Sequence, residues 1–145
     1  CLNGSFAHLA KCVDLARHSG HKSVSLVTSN AVSGGFLSFG LMADRVYALK
    51  DVSVRVMDLK AMSRVTKLEY DRLVELAKVS PTFAPGAENY ERMGGIESIW
   101  SDVSESRLVD AFNSIDNALD LRMEKGALRM GRTEALNTTK SVLAA

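Results

Sequence analysis

A chain of 145 residues has room for one ordinary domain and is too short for two comfortable ones. Its hydrophobic fraction of 46% and charged fraction of 24% are those of a soluble globular protein. The 18 basic and 17 acidic residues leave a formal charge of +1 and neither sign gathers into a block, so no nucleic-acid partner is expected; the longest nearly uncharged run, Ser23 to Ala43, is broken by Ser, Asn and paired Gly, so no membrane partner is expected either.

The chain opens at Cys1 with no initiator Met and no signal-peptide pattern, as a fragment or processed piece would. Cys1 and Cys12 read as reduced thiols of a cytoplasmic protein, Cys12 in apolar surroundings. From Ser5 to His18, Phe6, Leu9, Ala10, Val13 and Ala16 recur at helical spacing, which predicts an amphipathic helix with one buried face, stopped by Gly20. "SVSLVTS" predicts a short strand carrying Val24, Leu26 and Val27. After Gly34 and Gly35, the run Phe36 to Met42 is apolar nearly all round and predicts a helix buried on several sides. Val52, Val54 and Val56 alternate with Ser53, Arg55 and Met57, the period of a strand with one covered face.

Asp58 is placed to cap a helix running to Val65, and Thr66 with Glu69 forms a capping-box pattern ahead of Tyr70, Leu73, Val74 and Ala77. "SPTFAPG" holds both prolines, Pro81 and Pro85, and predicts a stiff loop; a short helix then ends at Gly94 and Gly95. Leu108, Ala111, Phe112, Ile115 and Leu119 mark a long amphipathic helix. Residues 1–125 therefore read as one domain and 126–145 as a C-terminal tail or helix. Alternating strands and helices predict an α/β fold with a parallel or mixed sheet, and about three strands make that sheet incomplete against the usual handful. Phe83, Tyr90 and Trp100 put more aromatic material between Pro81 and Trp100 than a surface connection needs. That segment, with the Leu108–Leu119 face, is expected at a subunit interface, with Trp100 as a core residue the alternative.

The glycine pair carries the chemistry. A strand that passes through Gly-Gly into a helix exposes backbone N–H groups at the positive helix end, where Gly34, Gly35 or Phe36 can hold an oxyanion. The alternative is close helix-on-sheet packing with no ligand. Ser33 reads either as a nucleophile or as a turn or capping residue; the histidines His8, His18 and His21 all precede it and the G-x-S-x-G pattern is absent, which favours the turn. Asp44 and Arg45 read as a helix end, and Arg64 and Lys67 either as solvated cations or as contacts to an anionic substrate.

"GGFLSFGLMADRVYA", Gly34 to Ala48, resembles the crotonase superfamily signature. The wider run from Gly20 to Leu68, with "SPTFAPGAENYERMGGIESIW", resembles the gamma subunits of biotin-independent malonate decarboxylases. The resemblance implies a crotonase-like fold of the carboxyltransferase type, present as a C-terminal portion. It implies a cytoplasmic decarboxylase, active only in complex, that converts malonyl carried on the prosthetic-group thiol of an acyl carrier protein to the acetyl thioester and CO2. The implied partners are a beta subunit and the carrier protein, with no cofactor bound by this chain. Carried onto this sequence, Gly34, Gly35 and Phe36 are the oxyanion-hole residues, Phe36 standing where many crotonases have a third Gly. Another crotonase-fold acyl-thioester enzyme, such as a carboxyltransferase subunit that binds biotin, and a non-catalytic structural subunit remain the alternatives.

Overall fold

The computed structural model describes residues 2–79, 84–116, 122–128 and 133–144. The chain runs α1 (Leu2–His18), β1 (Val24–Val27), β2 (Ala31–Val32), α2 (Ser33–Ser38), a 3-10 turn (Gly40–Met42), β3 (Arg45–Leu49), β4 (Val54–Arg55), α3 (Leu59–Thr66), α4 (Tyr70–Val79), α5 (Ala87–Arg92), β5 (Ser98–Trp100), α6 (Glu105–Asn113), α7 (Arg122–Leu128) and α8 (Thr133–Leu143). Every strand pair is parallel: β1-β3-β5 form one sheet, with Val24 opposite Arg45 and Tyr47 opposite Ser98, and β2-β4 form a second. Parallel neighbours need crossovers, and α2 supplies the one between β1 and β3.

The two-residue strand period sorts the core. Val27, Val46 and Ala48 face a cluster built with Phe36, Val54, Tyr90 and Ile96, with Ile99 packed against it. Tyr47 and Trp100 face the other way, joined by Val24, Leu26, Leu49, Leu108 and Ala111. There Tyr47 and Trp100 stack with ring centroids 4.4 Å apart, and the Arg107 guanidinium lies 5.9 Å from the Trp100 ring. Trp100 is thus a core residue of this chain. Phe83 and Leu119, the other ends of the expected interface, lie outside the described residues.

Several local expectations are met for the expected reasons. Gly20 (φ +83) ends α1 and Gly94 (φ +82) follows α5, both in the left-handed region open to glycine. Asp58 Oδ1 accepts from the Ala61 N–H at 2.7 Å and caps α3. α7 runs across position 126, where a C-terminal tail or helix is expected to begin, and Lys125 pairs with Glu97 just ahead of β5.

Others are corrected. α1 forms but buries no residue, so its apolar face is only partly covered. Cys12 is an exposed free thiol, 3.6 Å from His8 Nε2 one helical turn away, rather than packed in the core. The run Phe36 to Met42 breaks at Phe39, and Leu37 and Phe39 are exposed, so it is not buried on several sides. The Val52–Met57 strand shrinks to Val54–Arg55, because its covered face ends at Val54 and Val56 turns to the surface. Thr66 closes α3 instead of opening α4: its hydroxyl donates to the Met62 carbonyl at 2.8 Å and accepts from the Leu68 N–H, while Lys67 takes the left-handed position. α6 stops at Asn113, two residues before Ile115, and Phe112 is exposed. Among the described residues no helix is long and apolar enough to cross a membrane.

Candidate functional site

Parallel sheets offer ligands the space beyond their carboxyl ends, where chains turn outward into helices. β1 ends at Val27, and the chain passes through Thr28–Asn30 and β2 into α2. Val32, extended at φ −132 and ψ 140, precedes the helix, and the sharp turn falls on Ser33 at φ +64. A non-glycine residue in that region is strained by about 1–2 kcal/mol. The expected turn glycines are not in the left-handed region; Ser33 takes that position.

The two glycines are then free to differ. A Cβ on Gly34 would stand 2.9 Å from two ring carbons of Phe6, so Gly34 lets α1 approach α2. A Cβ on Gly35 would meet only Phe6 Cε1, at 3.8 Å, and Gly35 lines a cleft of about 400 Å³ together with Thr28, Asn30, Val32, Phe36 and Phe39. An α-helix uses the N–H of its fourth residue for the first internal bond, here Phe36 toward Val32. The N–H groups of Gly34 and Gly35 come before that bond. Phe36 is itself buried, its ring set edge-on to Tyr90 with centroids 5.8 Å apart, and a Cβ on Gly40 would lie 2.6 Å from it. Phe36 therefore fixes α2 from below, and Tyr90 in turn hydrogen-bonds the Val56 backbone, with its phenol pushed up from its ordinary range chiefly by burial.

Asp44 holds the other end of this unit. Its Oδ2 accepts from the N–H and the hydroxyl of Ser23, each at 2.8 Å, and its own N–H donates to Ser23 Oγ at 3.1 Å. Arg17 Nε lies 3.3 Å from Asp44 Oδ1, whose side chain is 6% exposed. Arg45 does not serve a helix end; it opens β3 and donates to the Ser114 carbonyl at 2.8 Å. Asp44 therefore does not mark a helix end as expected, and Ser23, twenty-one positions earlier, carries no local sign of the contact.

Ser33 sits on a strained strand-to-helix turn, the backbone setting of a nucleophile elbow. No histidine lines the adjoining cleft. His8 contacts Cys12 and His18 Nδ1 donates to the Asp14 carbonyl at 2.9 Å, so neither is brought to Ser33. Arg64 is exposed over a separate cleft of about 410 Å³ with Lys60 and Tyr70, away from the glycine turn, and Lys67 closes α3. Among the described residues no group of three or more His, Cys, Asp or Glu gathers as a metal site.

One residue near the turn carries no functional signal in the sequence. Arg55 on β4 stands opposite Val32 in the parallel register, and its Nη1 donates to Ser53 Oγ. Its Nε is buried with no hydrogen-bond partner among the described residues. Its one mark there is a cation set between valines in "VSVRVM".

Known proteins share this fold. The crystal structure of a Pseudomonas malonate decarboxylase hetero-tetramer with coenzyme A superposes with a TM-score of 0.78 at 24% identity over 96% of this chain and 59% of that one. The Pseudomonas MdcD-MdcE hetero-dimer gives 0.67 at 25% identity, over 98% of this chain and 57% of that one. The malonyl-S-ACP:biotin-protein carboxyltransferase MADD of Malonomonas rubra is 40% identical over 95 residues, 63% of this chain and 32% of the relative's length. The chain thus spans about a third of that curated relative and under two thirds of the structural ones. The family model for the malonate decarboxylase gamma subunit matches residues 1–145, from end to end, and on that match the chain belongs to the malonate decarboxylase gamma subunit family.

Proposed function

We propose that this chain is one half of the active site of an enzyme that takes the carboxyl group from a malonyl thioester, with a beta-type subunit supplying the other half. The observation that carries the reading is the turn from β2 into α2 at the carboxyl edge of a parallel sheet, with Gly35 open to the cleft. The crotonase-like fold, the cytoplasmic setting and activity only in complex belong to the same proposal. Substrate arrives as malonyl on the prosthetic-group thiol of an acyl carrier protein, and this chain binds no cofactor of its own.

When the bond between the carboxylate and the methylene carbon breaks, its electron pair moves into the thioester carbonyl and an enolate forms. The N–H groups of Gly34 and Gly35, with Phe36 completing the turn, are fixed before reaction and meet that charge without reorganising. Such a donor contributes about 3 kcal/mol to the transition state. A proton then reaches the methylene carbon, giving the acetyl thioester and CO2.

A second reading is favoured by one observation, the 40% identity to a protein named as a biotin-protein carboxyltransferase. The first half of the chemistry is the same, but the carboxyl group passes to a biotin nitrogen instead of leaving as CO2. Assay of the assembled complex with a malonyl carrier-protein thioester separates the two. CO2 release that avidin does not inhibit supports direct decarboxylation, and release that requires a biotinylated acceptor supports transfer. Full turnover by this chain alone would contradict the shared site.

A further inference from the structure

We propose that Lys60 and Arg64 bind a phosphate group of the thiol arm on which the malonyl group arrives. The proposal rests on the malonyl-thioester reading above and adds the place where the far end of the substrate is held.

Three observations carry it. Lys60 and Arg64 stand one helical turn apart on α3, are exposed, and line a cleft of about 410 Å³ together with Asp58 and Tyr70. Like charges four residues apart on a helix repel, so the pair is unfavourable until an anion lies against it. Neither cation has an ion pair among the described residues, in contrast to Arg17, Arg107 and Lys125, which meet Asp44, Asp102 and Glu97. Among the lining residues Asp58 is the one carboxylate, and its Oδ1 already accepts from the Ala61 N–H as the cap of α3.

The third observation is topological. β2 and β4 are parallel, with Val32 opposite Arg55, so the glycine turn that follows β2 and the helix α3 that follows β4 leave the same edge. Neighbouring strands lie about 5 Å apart, and the link from Arg55 to Asp58 spans at most ~11 Å. The cationic cleft is therefore separate from the glycine turn but within reach of one extended molecule. Val56 and Met57, which form that link, are exposed and offer apolar surface to the uncharged length of an arm.

The donor set narrows the ligand. A guanidinium presents parallel N–H donors and an ammonium three that rotate, and together they suit a phosphate, which has several charged oxygens to share between them. The malonyl carboxylate is joined to the thioester through a single methylene, so it does not reach this cleft while the thioester oxygen lies at the glycine turn. A phosphate at the other end of the arm does.

The probes are phosphopantetheine, pantetheine and inorganic phosphate, titrated calorimetrically into the assembled complex. The wild type should bind phosphopantetheine about tenfold more tightly than pantetheine, and more tightly than inorganic phosphate, which lacks the arm. Arg64→Gln and Lys60→Gln should each reduce the preference for phosphopantetheine over pantetheine about threefold or more, and Lys60→Glu, which reverses the charge, should abolish it. Added salt should narrow the preference in the wild type. Melting temperatures should not fall in these variants, because both side chains are exposed and their mutual repulsion is relieved. No preference for phosphopantetheine in the wild type, a preference that survives all three substitutions, or inorganic phosphate bound as tightly as phosphopantetheine would overturn the assignment. These titrations need no turnover: the preference and its loss would stand even if the complex did not act on malonyl thioesters, a result that would contradict the functional reading alone. If it does act on them, the kcat/KM advantage of malonyl-phosphopantetheine over malonyl-pantetheine should shrink in Arg64→Gln through KM, and an equal loss for both thioesters would overturn the phosphate assignment.

Discussion

α1 and α5 flank the same turn and are held in opposite ways. α1 has seventeen residues and buries none of them; α5 has six and buries Ala87, Asn89 and Tyr90. The long helix is tied to the unit by contacts such as Phe6 against Gly34 and Arg17 against Asp44. The short one is woven into it: the N–H groups of Gly95 and Ile96 donate to the Tyr90 carbonyl, Asn89 Nδ2 donates to the Ala84 carbonyl at 2.8 Å, and the Tyr90 ring meets Phe36. Length and amphipathic pattern thus do not measure how firmly an element is anchored; contacts distant in sequence do. For the candidate site this gives one firm wall under Phe36 and one lightly tied wall along α1.

The comparison breaks most visibly in the core. Tyr90→Ala should destabilise the chain by about 3–5 kcal/mol, whereas Leu9→Ala on α1 should cost about 1 kcal/mol or less. Urea unfolding of the two variants checks this, and equal losses would erase the distinction between the walls.

Asp44→Ala comes next. It removes the acceptor for two Ser23 donors and the partner of Arg17 in a nearly buried setting, and should cost about 3 kcal/mol. Hydrogen exchange should speed in α1 and β1 before it does in α5. A uniform change would mean that Asp44 does not tie α1 in particular.

Ser33→Gly sharpens the comparison from the turn itself. Relief of the positive φ at Ser33 should raise stability by up to about 1 kcal/mol, seen as a higher melting temperature. A loss of stability would show that the Ser33 side chain contributes more than its strain removes.

The smallest effect is on pH dependence. Tyr47 and Tyr90 both have phenols raised by burial, so the folded state favours their neutral forms. That contribution is complete below the unfolded value of about 10 and is lost as pH rises through the raised folded values. The melting temperature should be insensitive to these groups from pH 7 to 9 and fall above about pH 10, less steeply in Tyr90→Phe.

The sequence made legible what depends on neighbours along the chain. The α1 stop at Gly20, the Asp58 cap and the parallel α/β order all follow from local spacing and chemistry. What it concealed depends on partners far away. Nothing near Asp44 points to Ser23, nothing near Phe36 points to Tyr90, and the alternation that showed Arg55 to be on the outer face could not show that Val32 stands beside it. Nor could spacing divide the glycine pair, because the difference between Gly34 and Gly35 is made by Phe6 from α1.

That division is where the central claim is most exposed. Gly35→Val in the assembled complex puts a side chain at the cleft where we propose the oxyanion is held, at a position whose backbone φ is ordinary and whose nearest neighbour would be 3.8 Å away. Turnover of a malonyl carrier-protein thioester should fall by about a hundredfold or more, while melting temperature and subunit association stay near those of the wild type. A near-normal rate in a folded, assembled complex would contradict the account and leave both glycines as packing residues.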